Sequence, residues 1–463
     1  MVTTGPDVKK QAQISSTGDI IDRNPLSRFQ IRTIVLGGLV LFTDGFDAQT
    51  IGFLAPSIAD GTHIPVDTFG PIFSASLIGL MIAAMLAGPI ADRWGRKWPI
   101  IFSTVTLAVF SILTAHSSTF NQLLLFRFLT GLGLGGALPT VVALIFEYVP
   151  RRLMAVTVTV LFCGLPLGGF ICGMLSSRMV PVWGWQSVFY VGGVLPLIIA
   201  LLLIALLPES VQFLSQQSGN PEKAAKLIRK IVPSKAVTID SISFTAPSAE
   251  SRGVPVKHLF TGGRAAGTVL LWIPNFMNLL LMYVILNWFP TLLIQTGMSV
   301  SEGVTATAFF SLGGILGTLV EGFLIKFRGM YKVLLTEFML CGLFIAALSV
   351  WADTWLLVMV LAFLLGLLVI GAQAGLNVLA AEYYPTSIRS TGVGWALGMG
   401  RIGSILGPIL AGILVAIPWE PKQILLAGAI PAILALGAIL LGRRMPRRGS
   451  LFNSGSDHDK VLQ

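Results

Sequence analysis

Charge is scarce in this sequence. Asp, Glu, Lys and Arg together make up 11% of 463 residues, against about 25% in soluble globular chains. That shortage excludes a disordered chain, a nucleic-acid binder and an ordinary cytosolic enzyme. Cysteine is scarcer still. Cys163, Cys172 and Cys341 all sit inside apolar runs, so no disulfide framework is predicted. The histidines His63, His116, His258 and His458 fall in loops or at the ends of apolar runs, and no metal cluster is expected. There is no P-loop with its lysine, so no ATP-driven step and no bound cofactor is expected. No early apolar stretch with a cleavage site is seen, and no cleaved signal peptide is read.

Apolar residues are what the chain has instead: 54% of the total, with a mean hydropathy of +0.83. Runs long enough to span a bilayer fall at 33–59, 69–91, 98–115, 121–146, 152–176, 186–207, 265–293, 303–325, 331–352, 355–381, 388–417 and 421–442. A span needs about 20 residues. The reading is an all-α polytopic membrane protein of twelve helices in two six-helix bundles. The expected divisions are an N-tail (1–32), a first bundle (33–207), a linker (208–264), a second bundle (265–442) and a C-tail (443–463). Within the linker, Asn220 and Pro221 read as the start of a short helix. Ala224, Ala225, Leu227, Ile228 and Ile231 would lie on one face of it. Ser454 to Gln463 are expected to be disordered.

The net charge is +10, and 27 of the 31 Lys and Arg residues lie in the tails, the linker and the loops on the same side as these. Only Arg178 and Lys422 lie in loops on the other side, and Arg127 and Arg401 lie within spans. Basic residues mark the cytoplasmic side. Both termini and the linker are therefore expected in the cytoplasm, in a plasma membrane such as a bacterial inner membrane.

The two halves repeat. At an offset of 234, Gly79, Gly88 and Gly95 fall on Gly313, Gly322 and Gly329; at 235, Gly131, Glu147 and Pro150 fall on Gly366, Glu382 and Pro385. Parallel repeats of this kind build some transporters, with binding sites near mid-membrane between the halves. Shared positions read as scaffold, and charges found in one half only read as candidates for chemistry. Asp44 falls on Asn278, Asp47 on Leu281, Arg127 on Ala362 and Arg401 on Pro166.

Asp44 lies 11 residues past Thr33, roughly 17 Å along a helix in a core about 30 Å thick. Asp47 is three residues on and shares its helix face. A carboxylate at that depth is costly and is a functional site by default. Desolvation favours its neutral, protonated form, so Asp44 and Asp47 are the predicted proton carriers. Arg401 is similarly deep, and a guanidinium there needs a partner or a water-filled cavity. Its planar fork matches a carboxylate. Glu321 and Glu337 also fall in or near spans and have no assigned role.

Gly88, Asp92, Arg93, Gly95, Arg96 and Lys97 between spans two and three resemble the loop motif of the major facilitator superfamily. The run Arg127, Gly131, Gly133, Gly135 resembles its fourth-span motif. Asp44, Gly45, Phe46 and Asp47, followed by Gly52 and Pro56, resemble the signature of the aromatic acid:H+ symporter family. The resemblance extends through Glu147, Tyr148, Pro150, Leu207, Pro208, Glu209 and Ser210. It continues in Glu382, Pro385, Arg389, Gly394, Trp395, Gly400, Arg401 and Gly403. It implies a major facilitator fold and proton-coupled uptake of an aromatic carboxylate by a monomer, with no enzymatic activity. It implies that Arg401, with Arg127 as a candidate helper, contacts the substrate carboxylate. Phe46, Tyr283, Trp288 and Trp395 are candidate ring contacts. Gly88, Asp92, Arg93, Gly95, Arg96, Glu147, Glu382 and Arg389 are expected to serve the gate. The second loop carries Lys326 where Asp92 would be, which puts a symmetric gate in doubt. A sugar or polyol porter is the alternative, for which Asn275, Asn278 and Asn287 offer amides without a Gln pair. A sensor on the same fold is a third reading.

Overall fold

The structure, a computed structural model, describes residues 15–16, 21–22, 24–216, 226–227, 229–231, 242–243, 256–385 and 387–443. Twelve helices are long and apolar enough to cross a membrane. The first six spans are Arg28–Thr62, Val66–Trp94, Lys97–Ala115, Phe120–Tyr148, Arg151–Trp183 and Gln186–Ser215. The second six are Ala265–Gln295, Val300–Arg328, Met330–Val350, Trp355–Tyr383, Arg389–Ala416 and Pro421–Arg443. Each expected apolar run falls on one of them.

The chain enters its first span earlier than the apolar run predicts. The first helix begins at Arg28, in polar sequence, because Ser27 and Gln30 form a capping box. The Ser27 N–H donates to Gln30 Oε1 at 2.7 Å, and Gln30 Nε2 donates to the Tyr148 carbonyl at 2.6 Å. Hydropathy is blind to such a turn, which is stabilised by satisfying orphan backbone donors.

Besides the sixth span, whose helix stops at Leu206 and resumes at Val211, the fifth and twelfth spans are broken, each just ahead of a proline. The fifth divides into Arg151–Phe162 and Gly164–Trp183, and the twelfth into Pro421–Ala427 and Ala429–Arg443. Pro166 and Pro431 have no N–H to give to the residue four earlier. Those residues are Phe162 and Ala427, the last of each first segment.

The repeat is visible in the packing. Gly79 of the second span lies against the Phe128 carbonyl of the fourth; Gly313 of the eighth lies against the Phe363 carbonyl of the tenth. In return, Gly131 meets the Ser76 carbonyl and Gly366 the Phe310 carbonyl. A Cβ at any of these positions would strike backbone, so the helices pack at the separation that small residues allow.

Of the linker helix, Lys226, Leu227, Arg229, Lys230 and Ile231 are helical. Ile231 is buried beneath the first bundle, and Lys230 Nζ lies 6.0 Å from the centre of the Phe29 ring. Asn220, Pro221, Ala224, Ala225 and Ile228, the C-tail beyond Arg443 and most of the N-tail lie outside the described residues. Twelve spans put both chain ends on one side, called here the terminal side.

The halves meet away from that side. Ser74 Oγ donates to the Ile405 carbonyl at 2.7 Å, and Ser311 Oγ donates to Gln49 Oε1 at 2.7 Å. Phe73 meets Trp288 edge to face with centroids 5.3 Å apart, and Phe170 meets Phe309 likewise at 6.2 Å. Among the described residues, every side-chain hydrogen bond and ring pair joining the halves lies in the outer half of its spans. Nearer the terminal side, Gly88, Gly394 and Gly398 have open space where a Cβ would stand. The bundles are closed on the far side and parted on the terminal side.

Candidate functional site

The first span brings Asp44 and Asp47 into the middle of the first bundle, where both are buried. Their surroundings differ. Arg127 Nη2 donates to Asp47 Oδ2 at 2.7 Å, and Nη1 to Asp47 Oδ1 at 3.3 Å. Arg127 Nε donates to Ser76 Oγ at 3.3 Å, and the guanidinium lies over the Phe189 ring. Arg127 therefore ties the first, second, fourth and sixth spans together. With 0% exposure, it has no donor turned to the space between the halves. In this structure the Arg127 guanidinium is engaged by Asp47 within the first bundle. Asp44 is different: its Oδ2 is buried and has no hydrogen-bond partner.

The second bundle contributes an arginine and a wall of amides. Arg401 is half-buried, and among the described residues its guanidinium has neither an ion pair nor a hydrogen bond. The preceding Gly400 packs on Asn275 and Leu279 of the seventh span. Asn278 Nδ2 donates to Gln373 Oε1 and to the Val369 carbonyl, both at 3.0 Å. Gln373 Nε2 in turn reaches Asn377 Oδ1 at 3.2 Å and Asn275 Oδ1 at 3.5 Å. Asn377 is exposed and Asn278 Oδ1 is without a partner. These amides and Arg401 lie on three adjoining spans, the seventh, tenth and eleventh.

The expected ring contacts are scattered. Phe46 is 2% exposed, and its ring lies against Gly192 of the sixth span, within the first bundle. Trp288 is 0% exposed and donates Nε1–H to the Pro408 carbonyl at 2.9 Å. In this conformation neither ring has surface to offer a ligand, because packing on the bundle interior and on the far-side closure consumes it. Trp395 is exposed and stacks on Trp272 at 5.9 Å. Tyr283 is half-buried on the seventh span.

At the terminal-side end of the first bundle, Gly95 turns the chain at φ +82°, a conformation glycine adopts without steric cost. The turn delivers the Arg96 and Lys97 N–H groups to Glu209 Oε1 at 2.7 and 3.1 Å. Arg96 Nη1 pairs with Glu147 at 2.5 Å and also donates to the Ala143 carbonyl. Ser210 Oγ lies 2.8 Å from both Glu147 oxygens, and Tyr148 donates to the Glu209 carbonyl at 2.6 Å. Gly88 faces open space, and Asp92 and Arg93 are exposed. In the second bundle Glu382 and Arg389 are exposed and form no ion pair with each other, and Arg389 Nε donates to the Tyr384 carbonyl at 3.4 Å. Arg96, Glu147, Glu209 and Ser210 of the first bundle form a bonded cluster, whereas among the described residues Glu382, the repeat counterpart of Glu147, has no ion pair.

Sequence reasoning gave no role to Glu209 or Gln373. Gln373 falls on Leu138 at the repeat offset, so the asymmetry that singled out Arg401 would have found it. A separate small pocket, lined by Leu281, Phe289, Ile345, Leu365 and Leu425, is wholly apolar and belongs to the second bundle's core. Among the described residues no group of His, Cys, Asp and Glu could hold a metal.

Comparison with known proteins bears on this arrangement. The family model described as Major Facilitator Superfamily matches residues 37–348 and 271–460. The chain is 38% identical over 427 residues to the 4-hydroxybenzoate transporter PcaK of Pseudomonas putida, covering 91% of this chain and 94% of that one. It is 35% identical over 422 residues to a gallate transporter of Pseudomonas putida, with 91% and 94% covered. A solved bacterial homolog of the human lysosomal transporter Spinster superposes with a TM-score of 0.71 at 15% identity, covering 90% of this chain and 97% of that one. That last likeness is one of fold.

Proposed function

The chain belongs to the Major Facilitator Superfamily, and from that premise we propose that it takes up an aromatic carboxylate together with a proton by alternating access. The observation that carries the reading is an asymmetry among four mid-span charges. Asp47 and Arg127 satisfy each other, whereas among the described residues Asp44 Oδ2 has no hydrogen-bond partner and Arg401 has no ion pair. An unpartnered acid and an unpartnered base on opposite bundles suit a proton and an anion that travel together.

In the proposed cycle Asp44 takes a proton from the outside. The substrate carboxylate docks on Arg401, whose fork provides two parallel charge-assisted bonds. The amide wall of Asn275, Asn278, Gln373 and Asn377 then faces the ring, where its donors and acceptors fit phenolic hydroxyls. Neutralising both charges removes the penalty of carrying an unpaired ion through low dielectric. The bundles rock, and proton and acid leave on the terminal side, which we place in the cytoplasm of a bacterial inner membrane from its basic loops. The names of the relatives, a 4-hydroxybenzoate and a gallate transporter, support this substrate class.

The amide wall also favours a second reading, a proton-coupled polyol or sugar porter, since Gln373 supplies the glutamine that such a site wants. Arg401 has no task in that reading. Proton uptake in proteoliposomes, driven by a panel of aromatic acids and neutral sugars, tests both. Acid-induced uptake supports the first reading, and uptake with sugars alone overturns it.

A further inference from the structure

Two acids unused in this cycle stand together in the second bundle. Glu321 of the eighth span is 2% exposed and Glu337 of the ninth is 4% exposed. Their carboxyls are within hydrogen-bonding reach of each other. Yet none of the four oxygens has a donor. The two facts agree if both groups are drawn ionised, because carboxylates only accept. A proton is the missing donor.

No cation supplies the charge balance instead. The ion pairs among the described residues are Arg96–Glu147, Arg127–Asp47, Arg151–Asp22 and Lys422–Asp353. The tenth span offers Gly375, where a Cβ would run into Glu321 Oε1, and the ninth offers the apolar Leu334 beside it. The titratable neighbour is Cys341, one turn beyond Glu337, a free and buried thiol. Two negative charges side by side in such an enclosed site repel strongly, and one shared proton relieves that repulsion. Glu321 falls on Ala87 in the repeat, so the first bundle has no such pair.

We propose that Glu321 and Glu337 form a proton-sharing acid pair, a second protonation site separate from Asp44. The step is simple. A proton bonds to one carboxylate oxygen, and the new O–H donates to the facing carboxyl; release reverses both events. Each acid lies seven residues from the terminal-side end of its helix, at Arg328 or Met330, roughly 10 Å away. Exchange is therefore with water on that side. Loss of the proton sets like charges against each other across the junction of the eighth and ninth spans.

The test does not depend on the transported substrate, so it can fail or succeed apart from the function proposed above. Infrared difference spectra of the purified full chain in lipid vesicles would be recorded through a pH titration. At pH 7 the wild type should show a protonated-carboxyl band that Glu321→Gln or Glu337→Gln reduces. In either variant the amide donates in the proton's place. Asp44→Asn should leave that band in place. The doubly substituted Glu321→Gln, Glu337→Gln chain keeps size and hydrogen bonding, and should lose the fall in melting temperature that the wild type shows as pH rises. A band unchanged in both single variants, or a wild-type pH dependence retained in the double variant, would overturn the proposal.

Discussion

Arg127 and Asp47 meet in the centre of the first bundle through two guanidinium–carboxylate bonds of 2.7 and 3.3 Å, with the arginine wholly enclosed. The contact divides two acids that share a helix face. Asp47 is bound into a four-helix knot, and protonating it would strand a buried guanidinium. Asp44, one turn earlier, has no donor on Oδ2.

The two substitutions should therefore separate. Asp44→Asn should abolish proton-driven accumulation but leave counterflow exchange and the melting temperature near wild type. Asp47→Asn should instead lower stability, because removing one partner of a buried pair costs about 3–5 kcal/mol. Uptake, counterflow and thermal melting on both variants check this. Full accumulation in Asp44→Asn would remove Asp44 from the coupling step.

Gly95→Val should cut the maximal rate with little change in substrate affinity. The position needs φ +82°, and a side chain there would run into the Glu209 carboxylate that holds the Arg96 and Lys97 N–H groups. The loop lies at the terminal-side surface, away from Arg401. Initial-rate kinetics over a substrate range decide it, and an altered substrate preference at normal rate would contradict it.

Much of this was legible beforehand, and the reasons are specific. Bilayer-scale apolar runs set the twelve helices, and two of the shared glycine pairs, Gly79 with Gly313 and Gly131 with Gly366, mark backbone contacts that both halves make. The helix breaks before Pro166 and Pro431 were not read from the sequence, because prolines such as Pro56, Pro139 and Pro408 sit inside continuous helices. What could not be read was direction around a helix. Phe46 stands between Gly45 and Asp47 in the sequence, but its ring turns into the sixth span. Arg127 and Asp47 lie 80 residues apart, and nothing in one-dimensional spacing shows that they consume each other. The sequence left Glu209 without a partner in the same way, since its three N–H donors come from two separate chain segments.

Gln373→Leu should separate hydroxylated from unsubstituted aromatic acids. The change breaks the bonds that join Asn278, Asn275 and Asn377 and removes the group that would meet a ring hydroxyl. A net hydrogen bond contributes about 0.5–1.5 kcal/mol, so affinity for 4-hydroxybenzoate should fall several-fold while benzoate is little affected. Binding titrations of both acids measure the ratio. An equal loss for both would assign Gln373 to helix packing.

Arg401 should select the carboxylate by geometry as well as charge. Among the described residues its guanidinium has no partner, so an anionic ligand meets it without breaking an existing pair there. A hydrogen bond to a charged group contributes about 1.5–3 kcal/mol, and each 1.4 kcal/mol is about tenfold in affinity. Arg401→Ala should therefore weaken acid binding by about tenfold to a hundredfold. Arg401→Lys keeps the charge but loses the planar fork, so it should fall between the alanine variant and the wild type. The methyl ester, lacking the charge and one acceptor, should bind the wild type poorly and discriminate little among the three proteins. Titrating acid and ester against each protein gives six affinities that must follow this pattern. Equal binding of acid and ester by the wild type, or normal acid binding by Arg401→Ala, would show that Arg401 does not hold the carboxylate. The amide wall would then be the sole polar anchor, and the neutral-substrate reading would take precedence.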